Sequence, residues 1–255
     1  MALLHVRDIS FDADLVVFDK DGTLIDFEAM WGRRATSWVE HLVAQVGDES
    51  LRAVLYDSLG YDAQRRRTRP ESPLAIATTR QLRTIAASVL YRRGVPWTEA
   101  EDQTRYVFAD HTDLPLADLI RPTGDVIGLL QRLQAAGIRV AVITTDYRAE
   151  TEETLRLMGI AHLVDHVLCG DDGLPWKPAP DTLRVTCERL SIPPERTAVV
   201  GDTVADLLMA RRAGAGLKIA VLSGAGEQER LAIYADAVVA SINEIKLAAG
   251  PVTTI

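Results

Sequence analysis

Cysteine is nearly missing from this chain: only Cys169 and Cys187 occur in 255 residues. That excludes a disulfide framework or a cysteine-built metal site and predicts two free, buried thiols. Long apolar runs are missing as well, since no stretch approaches the roughly 18 apolar residues of a membrane span. The first residues carry His5, Arg7, Asp8, Asp12 and Asp14 in place of the apolar centre of a signal peptide. A cytoplasmic protein with no membrane partner is expected. Positive charge is in deficit. A formal net charge of -8 and a pI of about 5.2 argue against non-specific nucleic-acid binding. Lysine is absent from residues 27–120 altogether. The five histidines show no ligand spacing tied to a motif. His162 and His166 stand at i, i+4, but Leu163, Val164, Val167 and Leu168 suggest a strand or its approach, where that spacing loses its meaning. No internal repeat and no low-complexity segment occurs.

What is present has the balance of a soluble enzyme, 47% hydrophobic and 25% charged. Two kinds of sequence alternate. Residues 1–26 and 121–255 carry short apolar runs at Leu15–Phe18, Ile138–Ile143, Thr197–Val200, Leu217–Leu222 and Ala237–Val239. Helical patterns separate them, one with Val126, Leu130 and Leu133 on a face, Thr123 as its N-cap and Gly137 past its end. Another spans 203–213 and closes at Gly214. Strands alternating with helices predict an α/β fold with a doubly wound parallel sheet. Residues 27–120 differ. Phe27, Trp31, Trp38, Leu42 and Val46 fall at helical spacing, as do Leu74, Leu82, Ile85 and Val89, and a third helical stretch runs from about Thr98 to Ala109. These residues predict an all-helical insertion whose aromatic stripe is bundle core.

Ligands of open parallel sheets bind beyond the carboxyl ends of the strands, so the residues after each run matter most. After the first comes Asp19-Lys20-Asp21-Gly22-Thr23-Leu24. Carboxylates at i, i+2 along an extended chain share a side, and like charges held that close call for a cation, a shared proton or a reaction. After 138–143 comes Thr144-Thr145-Asp146, and after 197–200 comes Gly201-Asp202-Thr203-Val204-Ala205-Asp206. Trp176-Lys177-Pro178-Ala179-Pro180-Asp181 lies between them. Singly, each has an ordinary reading: an acidic turn, a helix N-cap or a solvated lysine. Together on one sheet edge they describe a phosphate site with a hard cation such as Mg²⁺.

These motifs resemble the haloacid dehalogenase superfamily, in its phosphatase branch with a helical cap inserted after the first strand. The match runs from Asp19 to Leu24, through Thr144 and Lys177, to Gly201–Asp206. The cap resembles the phosphoglycolate-phosphatase-like type in position and helical character only. The resemblance implies that Asp19 attacks phosphorus and becomes an aspartyl phosphate. It makes Asp21 the acid and base for leaving group and water. It implies that Asp19, the backbone carbonyl of Asp21 and Asp202 hold Mg²⁺, with Asp206 behind them positioning Lys177 or a water. Thr144, Lys177 and the backbone N–H of Thr145 would bind the transferring phosphoryl group, and Gly22 would let the chain turn away from it. The implied substrate is a small phosphorylated metabolite. Lys20 stands where relatives usually carry an apolar residue, and alternation predicts that it points away from the carboxylates in a structural role.

Phosphate-ester hydrolysis is the leading expectation. A phosphomutase uses the same phosphoaspartate, and a catalytically silent binding protein on this fold is the reading from another class. A phosphonate-cleaving enzyme needs a cap lysine, which 27–120 lacks. Arg65, Arg66, Arg67 and Arg69 cluster between two predicted helices. They are either solvated surface charge or the grip on a second anionic group of the substrate.

Overall fold

The computed structural model describes residues 2–109 and 114–249. The chain separates into two compact units, Met1–Asp26 with Pro122–Ile255, and Phe27–Arg121. The first opens with β1 (Ala2–Val6), β2 (Ile9–Phe11) and β3 (Leu15–Phe18). The second holds α1 (Arg33–Val46), α2 (Leu51–Leu59), the two-residue strands β4 (Tyr61–Asp62) and β5 (Arg67–Thr68), and α3 (Pro73–Ile76). It continues with α4 (Thr79–Arg92), α5 (Trp97–Phe108) and α6 (Leu116–Leu119). The first unit then resumes with α7 (Val126–Ala135), β6 (Arg139–Ile143), α8 (Arg148–Leu157), β7 (His166–Leu168) and α9 (Asp181–Leu190). It closes with β8 (Thr197–Gly201), α10 (Val204–Ala213), β9 (Leu217–Val221), α11 (Gln228–Leu231), β10 (Ala237–Val239) and β11 (Lys246–Ala249).

Six parallel strands form the main sheet in the order β10-β9-β8-β3-β6-β7. The fold is α/β with a doubly wound parallel sheet. Helices pack on such sheets from both sides, so the strands read as unbroken apolar runs. All four residues of β3 and all five of β8 are buried. Leu15, Val17, Ala141, Ile143 and Val199 share one cluster with Leu183 of α9 and Met209 of α10. The register sets the site. Phe18 pairs with Val142 of β6 and with Val200 of β8, so Asp19 leaves the central strand between the ends of its two neighbours. The chain runs from β3 first to β6 on one side and later to β8 on the other, which makes this edge the topological switch point.

A second, antiparallel sheet, β11-β1-β2, joins the start of the chain to its end and was not expected from the sequence. Thr123 does not cap α7. Its hydroxyl donates to the Thr23 carbonyl at 2.5 Å, and Asp125 accepts from Gly128 N–H as the cap.

In the helical unit the aromatic stripe is core. Trp38 stacks on Phe108 with centroids 4.1 Å apart, and Trp31 meets Trp38 edge-on at 6.0 Å. Phe27, Leu42, Leu74 and Leu82 are buried; Val46 and Ile85 are half-buried. The β4–β5 hairpin interrupts the helices, with Tyr61 paired to Thr68. Among the described residues no helix is long and apolar enough to cross a membrane.

Candidate active site

Where β3 ends, the backbone turns at once. The Asp19 N–H still donates to the Val200 carbonyl at 2.9 Å, extending the strand contact by one residue. The Lys20 carbonyl then accepts from Leu24 and Ile25, and Gly22 sits at φ +87°. A Cβ on Gly22 would lie 2.3 Å from Asp202 Oδ2, so glycine is required by conformation and by space.

Lys177 reaches the sheet edge from the loop before α9. Its Nζ stands 2.6 Å from Asp19 Oδ1 and 2.7 Å from Asp206 Oδ1, with its side chain only 5% exposed. Asp206 is placed by its helix: with Thr203 it forms the capping box of α10, the Thr203 hydroxyl donating to Asp206 Oδ2 at 2.5 Å. Asp202, at the end of β8, is buried. Its Oδ2 accepts from Ala225 N–H at 2.8 Å, while Oδ1 finds no hydrogen-bond partner among the described residues. Carboxylate oxygens of Asp19, Asp202 and Asp206 all lie within 4.8 Å of one another.

Three carboxyls and one ammonium leave this pocket short of positive charge. Burial pushes the Asp19 carboxyl up to about 6, with Lys177 opposing and Asp206 reinforcing the rise. Asp202 is driven well above the usual carboxylate range, by burial first and then by Asp19 and Asp206. Burial opposes the charge on Lys177, but the two aspartates outweigh it and hold the lysine cationic. A buried, orphaned carboxylate oxygen beside two more carboxylates is the donor set of a hard divalent cation. The residues fit one.

Thr144 continues β6. Its N–H donates to the Leu168 carbonyl at 2.9 Å and its hydroxyl oxygen accepts from Asp146 N–H at 3.2 Å; Thr145 follows, half-buried.

Asp21 belongs to a different group from Asp19. Its Oδ2 stands 2.7 Å from Lys20 Nζ, which also meets Asp146 Oδ2 at 2.8 Å, with the lysine side chain fully buried. Lys20 therefore does not point away from the carboxylates. Strand alternation stops at Phe18, and the turn brings adjacent side chains to the same place. Burial raises the Asp21 carboxyl to about 8, Lys20 pulling it down and Asp146 pushing it up.

The loop after β9 was missed in the sequence. Ala225 holds Asp202, and the Ser223 hydroxyl donates to the Gly22 carbonyl at 2.7 Å. Ser223-Gly224-Ala225-Gly226 directly after an apolar strand was the available signal. The four arginines lie in the helical unit and do not act together. Arg69 pairs with Asp57 at 2.7 Å and Arg65 leans on Asp62 at 3.9 Å. Arg67 is exposed on β5. Arg66 lines a cavity of about 530 Å³ with Arg33, Thr36, Tyr56 and Tyr61.

The profile of the haloacid dehalogenase-like hydrolases matches residues 13–214. The chain is 31% identical over 116 residues to a plasmid-borne phosphoglycolate phosphatase of Cupriavidus necator, covering 46% of this chain and 50% of that protein. It thus spans half the length of that relative. A phosphoglycolate phosphatase of Neisseria meningitidis is 29% identical over 235 residues, covering 90% and 91%. The structure of a family hydrolase from Deinococcus radiodurans superposes with a TM-score of 0.63 at 22% identity, covering 91% and 93%, a likeness of fold. With the profile spanning most of the chain and the motif residues gathered at the switch point of the expected sheet, the protein belongs to the haloacid dehalogenase-like hydrolases.

Proposed function

We propose that this chain is a Mg²⁺-dependent phosphatase that hydrolyses a small phosphomonoester metabolite through an aspartyl phosphate on Asp19. The observation that carries the reading is Lys177 bridging Asp19 and Asp206 beside the orphaned carboxylate of Asp202. Asp19 and Asp202, with the Asp21 carbonyl, would hold the magnesium. The metal supplies positive charge against the phosphoryl oxygens. Lys177 orients the phosphoryl group and offsets its remaining charge, and Thr144 and the Thr145 N–H bind the same group. The Asp19 carboxylate attacks phosphorus. Asp21, kept protonated by its buried setting, gives its proton to the leaving oxygen. The resulting carboxylate takes a proton from the water that releases inorganic phosphate. Splitting one displacement into two is the gain of covalent catalysis. The names of the two curated relatives favour a small substrate that also carries a carboxylate.

Mutase chemistry uses the same first half-reaction, so product analysis tests the reading. A panel of phosphorylated metabolites assayed with and without Mg²⁺ should release inorganic phosphate with no bisphosphate primer. Interconversion of sugar phosphates with little release would replace this reading with the mutase.

For substrate choice we assign Arg66, rather than Arg65, Arg67 or Arg69, to a second anionic group. Arg69 is committed to Asp57, whereas Arg66 lines a cavity with a second arginine and two tyrosines. Arg66→Ala should raise KM for a carboxylated phosphomonoester about 10-fold, the loss of one charge-assisted hydrogen bond. It should leave p-nitrophenyl phosphate unaffected. Equal behaviour of Arg66→Ala and Arg69→Ala on both substrates would return the cluster to surface charge.

A further inference from the structure

Lys20 is one of the largest fully buried side chains of the protein, and it is an ammonium. Burying that charge is expensive, and a buried ion pair can often be replaced by apolar residues without loss of stability. Stability is thus a poor reason for a lysine here. The contacts suggest another. Lys20 is fixed at its backbone, since its carbonyl accepts from Leu24 at 2.9 Å and from Ile25 at 3.0 Å. Its Nζ is shared between Asp21 Oδ2 at 2.7 Å and Asp146 Oδ2 at 2.8 Å. Asp146 is anchored in turn, its N–H on Thr144 Oγ1 at 3.2 Å and its carbonyl accepting from Gly170 at 2.8 Å. Asp21 Oδ1 is buried and has no hydrogen-bond partner among the described residues.

We infer that Lys20 and Asp146 are positioning residues for Asp21, clamping its Oδ2 and leaving Oδ1 as the atom that carries the proton. The inference rests on the phosphatase reading above. In the first step the Asp19–phosphorus bond forms, the bond from phosphorus to the leaving oxygen breaks, and the proton on Asp21 Oδ1 passes to that oxygen. In the second, a water proton returns to Oδ1 as the water oxygen bonds phosphorus and the Asp19–phosphorus bond breaks. Because Asp146 also ties to Thr144, the clamp fixes Asp21 to the turn that would bind the phosphoryl group. A carboxyl left to rotate would still fill its space but would deliver the proton badly.

Leaving-group dependence reads this directly. Phenolate is a basic leaving group, its conjugate acid having a pKa of about 10 like the tyrosine side chain, and it needs the proton. p-Nitrophenolate is a far weaker base and leaves without one. Phenyl phosphate and p-nitrophenyl phosphate should be compared on the parent, K20M and K20M/D146N, with thermal melting of each. K20M strands two buried carboxyls, whereas K20M/D146N removes one of them with the cation. In both, kcat/KM for phenyl phosphate should fall at least about 10-fold further than for p-nitrophenyl phosphate, part of the usual general-acid contribution. D146N is nearly isosteric and keeps the Lys20–Asp21 pair. It should shift the ratio the same way, and it decides the matter if the lysine variants do not fold. A parallel fall on both esters, or no change in the ratio, overturns the clamp and leaves the phosphatase reading standing. A parent that cleaves neither ester overturns both.

Discussion

Asp19→Asn is expected to lower kcat by at least about 10³-fold and to abolish phosphoenzyme formation while the protein stays folded. The amide has the shape of the carboxylate but neither its charge nor its nucleophilicity, and a 10³-fold loss corresponds to about 4 kcal/mol in the barrier. The variant should fold because the pocket holds an excess of carboxylate. Removing Asp19 takes away a charge that helps push Asp202 up, and Lys177 keeps Asp206 at 2.7 Å as its counter-ion. Phosphate release, acid-quench trapping of labelled enzyme and a melting curve together separate the outcomes. Near-normal turnover in a clean preparation would remove Asp19 from the mechanism. A lost activity accompanied by a collapsed melting temperature would make the residue structural.

The sheet was legible because burial on both faces leaves the central strands as nearly unbroken apolar runs, as in Leu15–Phe18 and, after Thr197 opens β8, in Ala198–Gly201. The loops beyond those strands were legible for the same reason, since charged residues stop the run where the chain meets the ligand edge. The antiparallel sheet of β1, β2 and β11 was not. β2 has three residues, and the partner of β1 lies at the other end of the chain, where no local pattern can announce it. Lys20 was misread through a rule that holds only within a strand. Alternation holds only through Phe18, so it fails both for Lys20 and for the shared side expected of Asp19 and Asp21, because the Lys20 carbonyl already begins a turn. Thr123 and Asp125 are both good caps, and a hydrogen bond to distant Thr23 decided between them. The arginine cluster shows the same limit: nothing in Arg65 to Arg69 tells which guanidinium Asp57 will take, because Asp57 comes from a neighbouring helix.

Exhaustive chelation should remove phosphatase activity, Mg²⁺ should restore it, and Ca²⁺ should restore little, because Ca²⁺ prefers longer and more flexible coordination than an octahedral Mg²⁺ site provides. The same ion should stabilise the fold, more strongly as pH rises. Asp19 in the chelated protein is raised to about 6 from 3.8, and Asp202 is raised as well. Between those values the folded state keeps protons that the unfolded chain has released, so stability is greatest below the unfolded pKa and is lost as pH climbs through the folded one. Mg²⁺ competes for the same oxygens. Near pH 4 it meets protonated carboxyls and adds little; above pH 6 it replaces the missing positive charge. At a concentration 100 times its dissociation constant it should contribute about 2.7 kcal/mol, which for a chain of this size is a rise in Tm of roughly 5–10 °C. Asp202→Asn supplies the control. It removes a ligand and an uncompensated buried charge together, so its Tm in chelator at pH 8 should equal or exceed the parent's, and added Mg²⁺ should move it far less. Full activity after chelation would refute the metal requirement. A Mg²⁺ shift in Tm that is independent of pH, or undiminished in Asp202→Asn, would put the ion somewhere other than among Asp19, Asp202 and Asp206.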